Sequence, residues 1–182
     1  NIAGSCGHSW DGPCAQDLTD ETFARIVETI QQLLDDVRPT HTYYTLETMP
    51  WMFPDSTESY LRLIDAIGRE RFAVHFDPVN LIKTPRRYFD TGGVIRKFVG
   101  RLGPHIRSCH AKDTRMSKPL TVQLREVRPG TGNLDYATLL RELDTLEPDT
   151  PLMLEHLTSP QEYAQAAAHI RQVAAETGVT IR

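Results

Sequence analysis

The strongest constraint on the fold is a buried-strand pattern that recurs along the chain and each time leads to a charged or polar residue. Its clearest copy is residues 72–76, an apolar and aromatic run that ends on Asp77. Pro78 then stops the strand because it has no N–H to donate. The other copies are residues 41–46 before Glu47, residues 105–109 before His110, and residues 151–154 before Glu155. A helical pattern follows each copy, which is the βα repeat of a parallel sheet.

Helices are predicted between and after these strands. Residues 19–38 place their apolar side chains on one stripe, with Thr19 as the cap and Pro39 after the end. We also expect helices over residues 55–67, 91–102, 134–146 and 159–177, a long polar loop over residues 114–132, and a last strand fragment over residues 179–181. The count is about six βα units, so the sequence predicts an α/β fold, a (β/α)8 TIM barrel.

Length and charge limit the function. A complete barrel usually has ~250 residues and seldom fewer than ~200. The 182 residues therefore predict a single domain, 1–182, that is the C-terminal three quarters of a barrel and lacks about the first two βα units. The formal charge of −4, without a Lys/Arg cluster, predicts no nucleic acid partner, and no apolar run is long enough for a membrane helix. An open barrel edge makes a homo-oligomer or a covering N-terminal segment an expectation.

The cysteines bear on the cellular compartment. Cys6, Cys14 and Cys109 are odd in number and do not have the spacing of a zinc ribbon. The simplest interpretation is three reduced thiols in a cytoplasmic protein.

Four residues at the strand ends form a candidate metal site. The carboxyl ends of parallel strands meet at one mouth of a barrel, so Glu47, Asp77, His110 and Glu155 are expected to converge. Three carboxylates and one imidazole suit one divalent ion, Mn²⁺, Mg²⁺ or Co²⁺ by preference and Zn²⁺ as an alternative. Glu47 and Glu155, from separated strands, are also the candidate catalytic pair that removes and returns a proton next to a carbonyl. The alternative for a single carboxylate here is a structural role, as a helix cap or in a loop salt bridge.

Further candidates surround this mouth. His8 and Trp10, in the loop over residues 6–17, are candidate substrate contacts, and a solvated imidazole and a loop anchor are equally good interpretations. Lys112 and Asp113 follow His110 and are candidates for orienting it as second-shell groups, with Lys112 also a candidate substrate contact. Both could equally be surface residues.

Two arginines occupy the long polar loop. Arg125 and Arg128 could receive a phosphate or another oxyanion. They could equally pin the loop to Glu126.

As a set, the motifs resemble the xylose isomerase-like (β/α)8-barrel superfamily and, within it, the sugar phosphate isomerase/epimerase branch. They are Leu46-Glu47, Phe76-Asp77-Pro78-Val79-Asn80, Cys109-His110-Ala111-Lys112-Asp113, Arg128 to Tyr136, and Leu154-Glu155. The resemblance implies that Glu47, Asp77, His110 and Glu155 hold the metal. It also implies that the two glutamates are the acid/base pair of an enediolate mechanism on a small sugar or polyol. Residues 1–5 resemble the third strand of such barrels, in agreement with about two missing units.

Two positions depart from the ketose 3-epimerases of this superfamily. Those enzymes have a histidine three residues after the aspartate ligand, where this chain has Asn80. They have an arginine three residues before the Pro-Gly, where this chain has Glu126 and where Arg128 would have to substitute. Asn80 and Arg128 are therefore the substrate contacts expected at these places.

The sequence leaves four functions open. The leading interpretation is a metal-dependent isomerase or epimerase, and an inosose-type dehydratase would use the same metal site. A nuclease that resembles the abasic-site endonucleases is a third, although those enzymes bind three zinc ions with many more histidines at the strand ends. The fourth is a non-catalytic binding protein on a degenerate barrel.

Overall fold

The computed structural model describes residues 1–2 and 12–181 as alternating strands and helices. The strands are β1 (Tyr44–Glu47), β2 (Phe72–Phe76), β3 (Ile106–Ala111), β4 (Asp113–Met116), β5 (Leu124–Val127) and β6 (Leu152–Leu154). The helices are α1 (Asp20–Val37), α2 (Thr57–Ile67), α3 (Pro85–Tyr88), α4 (Thr91–Leu102), α5 (Tyr136–Leu143) and α6 (Pro160–Thr177). Strands β1, β2, β3 and β6 form one parallel sheet in that order, and β4 pairs with β5 in a separate antiparallel hairpin.

Local sequence signals set the ends of the helices. Ser56 and Ser159 cap α2 and α6, because each side chain accepts a hydrogen bond from a backbone N–H in the first turn. Gly68 and Gly178 end the same two helices with φ values of 57° and 75°, which a residue without a Cβ adopts at little cost. The helices therefore begin and end close to where the sequence predicts.

The core lies between the parallel sheet and the helices that cover it. All five residues of β2 are buried, as expected for an inner strand. The ring of Phe76 in β2 stacks on that of Phe98 in α4 with 4.3 Å between centroids. The Tyr60 hydroxyl in α2 donates to the carbonyls of Leu46 and Ala73, at 2.5 and 3.0 Å, and so ties the helix to two strands. This packing fixes the positions of the strand ends.

The parallel sheet is smaller than predicted. The described residues contribute four strands to it. The strand expected at residues 1–5 lies largely outside the described residues, so it stays a prediction. Residues 179–181 are not a strand. The Val179 N–H instead bonds the carbonyl of Ala174 at 2.9 Å, which folds this segment back onto the end of α6. The α/β class, with consecutive strands in parallel, is confirmed.

The hairpin was missed by sequence reasoning. Residues 114–132 were expected to form a polar loop, but β4 and β5 pair within this region, with Thr114 opposite Glu126 and Arg115 opposite Arg125. The two strands pair with each other and not with the parallel sheet, so they carry mostly polar side chains and lack the apolar run that marks a buried strand.

The cysteine expectation is wrong at one position. Cys14 is disulfide-bonded and lies partly exposed ahead of α1, whereas Cys109 is a free thiol buried in β3. The thiol argument for a cytoplasmic location therefore fails, and that location stays a prediction. Among the described residues, no helix is long and apolar enough to cross a membrane.

Candidate metal centre

The parallel sheet brings the four predicted ligand residues to one edge. Glu47 is the last residue of β1, Asp77 directly follows β2, His110 is the next-to-last residue of β3, and Glu155 directly follows β6. Consecutive parallel strands end on the same side of a sheet, and for that reason these side chains project into one place. One oxygen or nitrogen from each of the four lies within 4.8 Å of the others.

His110 is at the centre of this group. Its Nδ1 lies 3.1 Å from Glu47 Oε1, 3.6 Å from Asp77 Oδ2 and 2.9 Å from Glu155 Oε1. Burial lowers the pKa of His110, but the facing carboxylates of Asp77, Glu47 and Glu155 outweigh burial and raise that pKa to about 9. The imidazole therefore lies beside three carboxylate oxygens.

The side chains present fit a divalent cation. Carboxylate oxygens and one imidazole nitrogen are the donor set of an Mg²⁺, Mn²⁺ or Co²⁺ site, and Zn²⁺ also accepts it. Glu155 Oε1 is buried and makes no hydrogen bond of good geometry, although His110 and Lys112 lie close to it. Asp77 is fully buried, and although burial opposes it, the interactions with His110 and Lys112 lower the pKa of this carboxyl. The Asp77 carboxylate is thus ionised, and its oxygen and that of Glu155 lie in the same ligand group.

Lys112 reaches into the same cluster. Its side chain is 3% exposed, and Nζ lies 2.8 Å from Asp77 Oδ2, in contact with Glu155 Oε1 and 3.5 Å from Glu47 Oε1. Burial lowers the pKa of Lys112, but the charge of Asp77 and the neighbouring carboxylates raise it above its usual value. The lysine is therefore positively charged and lies among the candidate ligands.

Asn80 braces two of the carboxylates. Its Nδ2 donates to Asp77 Oδ2 at 3.2 Å, to Glu47 Oε1 at 3.3 Å and to the carbonyl of Thr48 at 2.9 Å. The structure thus places this amide against the candidate ligands. A direct contact of Asn80 with substrate stays a prediction.

Asp113 organises a loop and makes no hydrogen bond to His110. Its carboxylate accepts from the backbone N–H groups of Thr114, Gly130, Gly132 and Leu134, at 2.8 to 3.0 Å. Gly132 comes so close to this carboxylate that a Cβ there would collide with Asp113 Oδ1 and with the carbonyl of Thr114. Asp113 therefore fixes the chain from the hairpin to α5.

Arg128 lies in a neighbouring cavity of about 460 Å³ between the hairpin and the start of α6. Arg128 Nη1 lies 3.3 Å from the carbonyl of Pro129 and reaches no candidate ligand. The rest of the lining is Arg115, Glu126, Val127, Thr131, His156, Leu157, Thr158 and Glu162. His156 connects the cavity to the metal centre, because Nδ1 is 3.1 Å from Glu126 Oε1 and Nε2 is 3.5 Å from Glu155 Oε2. Arg128 as a substrate contact stays a prediction.

Two of the predicted substrate contacts, His8 and Trp10, lie outside the described residues.

Sequence reasoning missed His75, whose ring stands edge-on to that of His110 with centroids 4.0 Å apart. Burial, followed by the charge of His110, lowers the pKa of His75 to about 4. Strand alternation was the available signal, since side chains two residues apart share a face and His75 precedes Asp77 by two.

A protein-family model described as a xylose isomerase-like TIM barrel matches residues 5–173. Because the match takes in most of the chain, this chain belongs to the xylose isomerase-like TIM barrel family, and the resemblance seen in the strand-end motifs is confirmed. Comparison with curated proteins finds no match.

Solved structures share the fold at low sequence identity. A xylose isomerase-like TIM barrel protein from Mycobacterium smegmatis in complex with magnesium has a TM-score of 0.69 and 16% identity, covering 94% of this chain and 56% of that one. The probable 3-DHS dehydratase AsbF from Bacillus anthracis has a TM-score of 0.67 and 16% identity, covering 95% and 61%. An L-ribulose 3-epimerase has a TM-score of 0.60 and 16% identity, covering 93% and 57%. The chain thus spans 56–61% of the length of these proteins and corresponds to part of such a barrel.

Proposed function

We propose that this xylose isomerase-like chain carries the metal-dependent site of an isomerase or epimerase that acts on a small sugar or polyol. The observation that supports it is the convergence of Glu47, Asp77, His110 and Glu155 from four different strand ends. A single carboxylate at a strand end is commonly a cap or a loop ion pair. Four ligand-type side chains within 4.8 Å of one another, each from its own strand, are a much more specific arrangement.

In this proposal, Glu47, Asp77, His110 and Glu155 hold one divalent ion, Mn²⁺, Mg²⁺ or Co²⁺ by preference. The bound ion would polarise a carbonyl and a neighbouring hydroxyl and so acidify the C–H between them. The Mycobacterium smegmatis structure contains magnesium, which supports the general class of ion. Asn80 keeps two of the carboxylates in place by hydrogen bonds.

The positions of the two glutamates support the proposed proton transfer. Glu47 leaves β1 and Glu155 leaves β6, the two outer strands of the four-stranded sheet, while Asp77 and His110 leave the two inner strands. The glutamates therefore flank the site from opposite sides. One carboxylate can remove a proton next to the carbonyl, and the other can return it on the opposite face of the enediolate, which inverts that carbon. Return of the proton to the adjacent carbon would give isomerisation instead.

A dehydratase is the second candidate. The probable dehydratase AsbF matches with a TM-score of 0.67, above the 0.60 of the epimerase. Dehydration can begin with the same proton abstraction and end with the loss of a hydroxide from the next carbon, so Glu47 and Glu155 would keep their roles. The products separate the two reactions, because a dehydratase releases water and an epimerase preserves the composition of its substrate.

A nuclease and a non-catalytic binding protein are less well supported. In the described part of the chain, Glu47, His75 and His110 form a second candidate metal-binding group. It shares Glu47 and His110 with the four-residue group, so the two overlap in one place and are not separate zinc sites. The three carboxylates that lie together in this group favour a site that receives a cation over a site that binds sugar without metal.

The test is replacement of Glu155 by glutamine. The variant keeps the shape of the side chain and loses its basicity, so it should fold and fail to exchange substrate protons with solvent. The measurement is deuterium incorporation from ²H₂O into ketoses and inososes by mass spectrometry, with Mn²⁺, Mg²⁺ or Co²⁺ added.

The matched control is Glu147→Gln, which removes an exposed glutamate remote from the four ligands. This variant should exchange at the wild-type rate. Undiminished exchange in Glu155→Gln would contradict the proposed acid/base role, and release of water from any substrate would favour the dehydratase.

A further inference from the structure

The mechanism above does not explain why a lysine ammonium lies inside the candidate ligand group. Lys112 Nζ contacts the same oxygens that face His110, namely Asp77 Oδ2, Glu155 Oε1 and Glu47 Oε1. A lysine that only braced a ligand from outside would contact the carboxylate oxygens that point away from the ion. Lys112 instead contacts the oxygens that a metal needs.

The position of Lys112 has an electrostatic explanation. Asp77 is fully buried, and the side chains of Glu47 and Glu155 are 23% and 26% exposed, so three carboxylates meet in a poorly hydrated place. Without a cation they would repel each other strongly, because charge interactions grow as water is excluded. Lys112 supplies a positive charge from inside the protein.

A fourth carboxylate, from outside the ligand group, also lies near the Lys112 ammonium. Glu126 Oε2, on β5 of the hairpin, is 3.8 Å from Lys112 Nζ and does not belong to the four-residue ligand group. The long lysine stem can rotate about its single bonds, so a small movement would take Nζ from the ligand oxygens to Glu126. The chain therefore offers Lys112 acceptors in two places, three oxygens inside the metal centre and Glu126 beside it.

We infer that Lys112 is the internal counter-cation of the metal-free centre, and that a divalent ion displaces its ammonium toward Glu126. This inference rests on the proposed metal site and goes beyond it, since it says which group balances the carboxylate charge when no metal is bound. The divalent ion then takes the place of the ammonium among the ligand oxygens. Lys112 would weaken metal binding and stabilise the protein that has no metal.

The test compares wild type, Lys112→Met, Glu126→Gln and the double variant by calorimetric titration with Mn²⁺ and by thermal unfolding in EDTA. Removal of the competing ammonium should tighten Mn²⁺ binding about tenfold and lower the unfolding temperature in EDTA. Glu126→Gln removes the carboxylate that receives the displaced ammonium, so it should weaken Mn²⁺ binding about threefold. This effect should vanish in the double variant.

Lys118→Met is the control, because it removes an exposed positive charge from the hairpin turn and should leave both measurements unchanged. Mn²⁺ affinity in Lys112→Met that equals or falls below that of wild type would overturn the inference. If wild type itself binds no Mn²⁺, Mg²⁺ or Co²⁺, the proposed function fails first, and that outcome is distinct from metal binding that ignores Lys112.

A measurement on wild type covers the case in which Lys112→Met does not fold. The side-chain ammonium resonances of ¹⁵N-lysine-labelled protein are followed during titration with diamagnetic Mg²⁺. One ammonium resonance should be protected from solvent in the metal-free protein. It should shift during the titration with the dissociation constant that calorimetry gives for Mg²⁺. Saturation of the site without a shift of any protected ammonium would overturn the inference.

Discussion

Replacing Asp113 by asparagine should destabilise the fold by about 3–6 kcal/mol. Asp113 Oδ1 accepts from the N–H groups of Thr114 and Leu134, and Oδ2 accepts from those of Gly130 and Gly132. An asparagine keeps one oxygen and turns its NH₂ group toward the other two donors, so two hydrogen bonds to a charged acceptor are lost, each worth about 1.5–3 kcal/mol. This loss is large beside a total stability of about 5–15 kcal/mol.

The assay is urea unfolding followed by circular dichroism, with Asp149→Asn as the control. Asp149 is exposed, and its replacement should change the free energy of unfolding by less than about 0.5 kcal/mol. Asp113→Asn should lower the midpoint without a change in the slope, because the core stays intact. A loss below about 1 kcal/mol would refute the idea that this carboxylate holds the loop in place.

Two further predictions concern the same loop and the metal centre. Gly132→Ala should cost about 2–3 kcal/mol in urea unfolding because its Cβ would collide with Asp113, whereas Gly100→Ala, with open space in a helix, should be neutral or stabilising; equal effects would contradict the close approach. Mn²⁺ affinity should rise by up to about tenfold per pH unit until it levels off near the raised pKa of His110, about 9, because binding requires the neutral imidazole. Calorimetric titration across this range checks it, and an affinity independent of pH would argue against His110 as a ligand.

The convergence of the candidate ligands could be predicted because it depends on two simple signals. Apolar runs identify buried strands, and the residue after each run must lie at the carboxyl edge of a parallel sheet. Glu47, Asp77, His110 and Glu155 meet for this reason, and their role as ligands stays a prediction.

Other parts of the site depend on packing that the sequence does not encode locally. The hairpin strands pair only with each other and have polar sequences, so no apolar pattern marked them. The hairpin in turn brings Glu126 toward Lys112 and His156. His156 has a positive φ of 57°, a backbone conformation for which a histidine gives no sequence signal. The position of Lys112 Nζ among the carboxylates likewise depends on tertiary contacts.

The central claim is that these four strand-end residues form one divalent metal site. Elemental analysis of the purified protein, after reconstitution with Mn²⁺ or Co²⁺ and removal of excess ion, tests it most directly when His110→Ala is measured alongside. We expect about one divalent ion per wild-type chain and a clear loss in the variant. A wild-type chain that retains no ion, or a variant that retains as much as wild type, would contradict it.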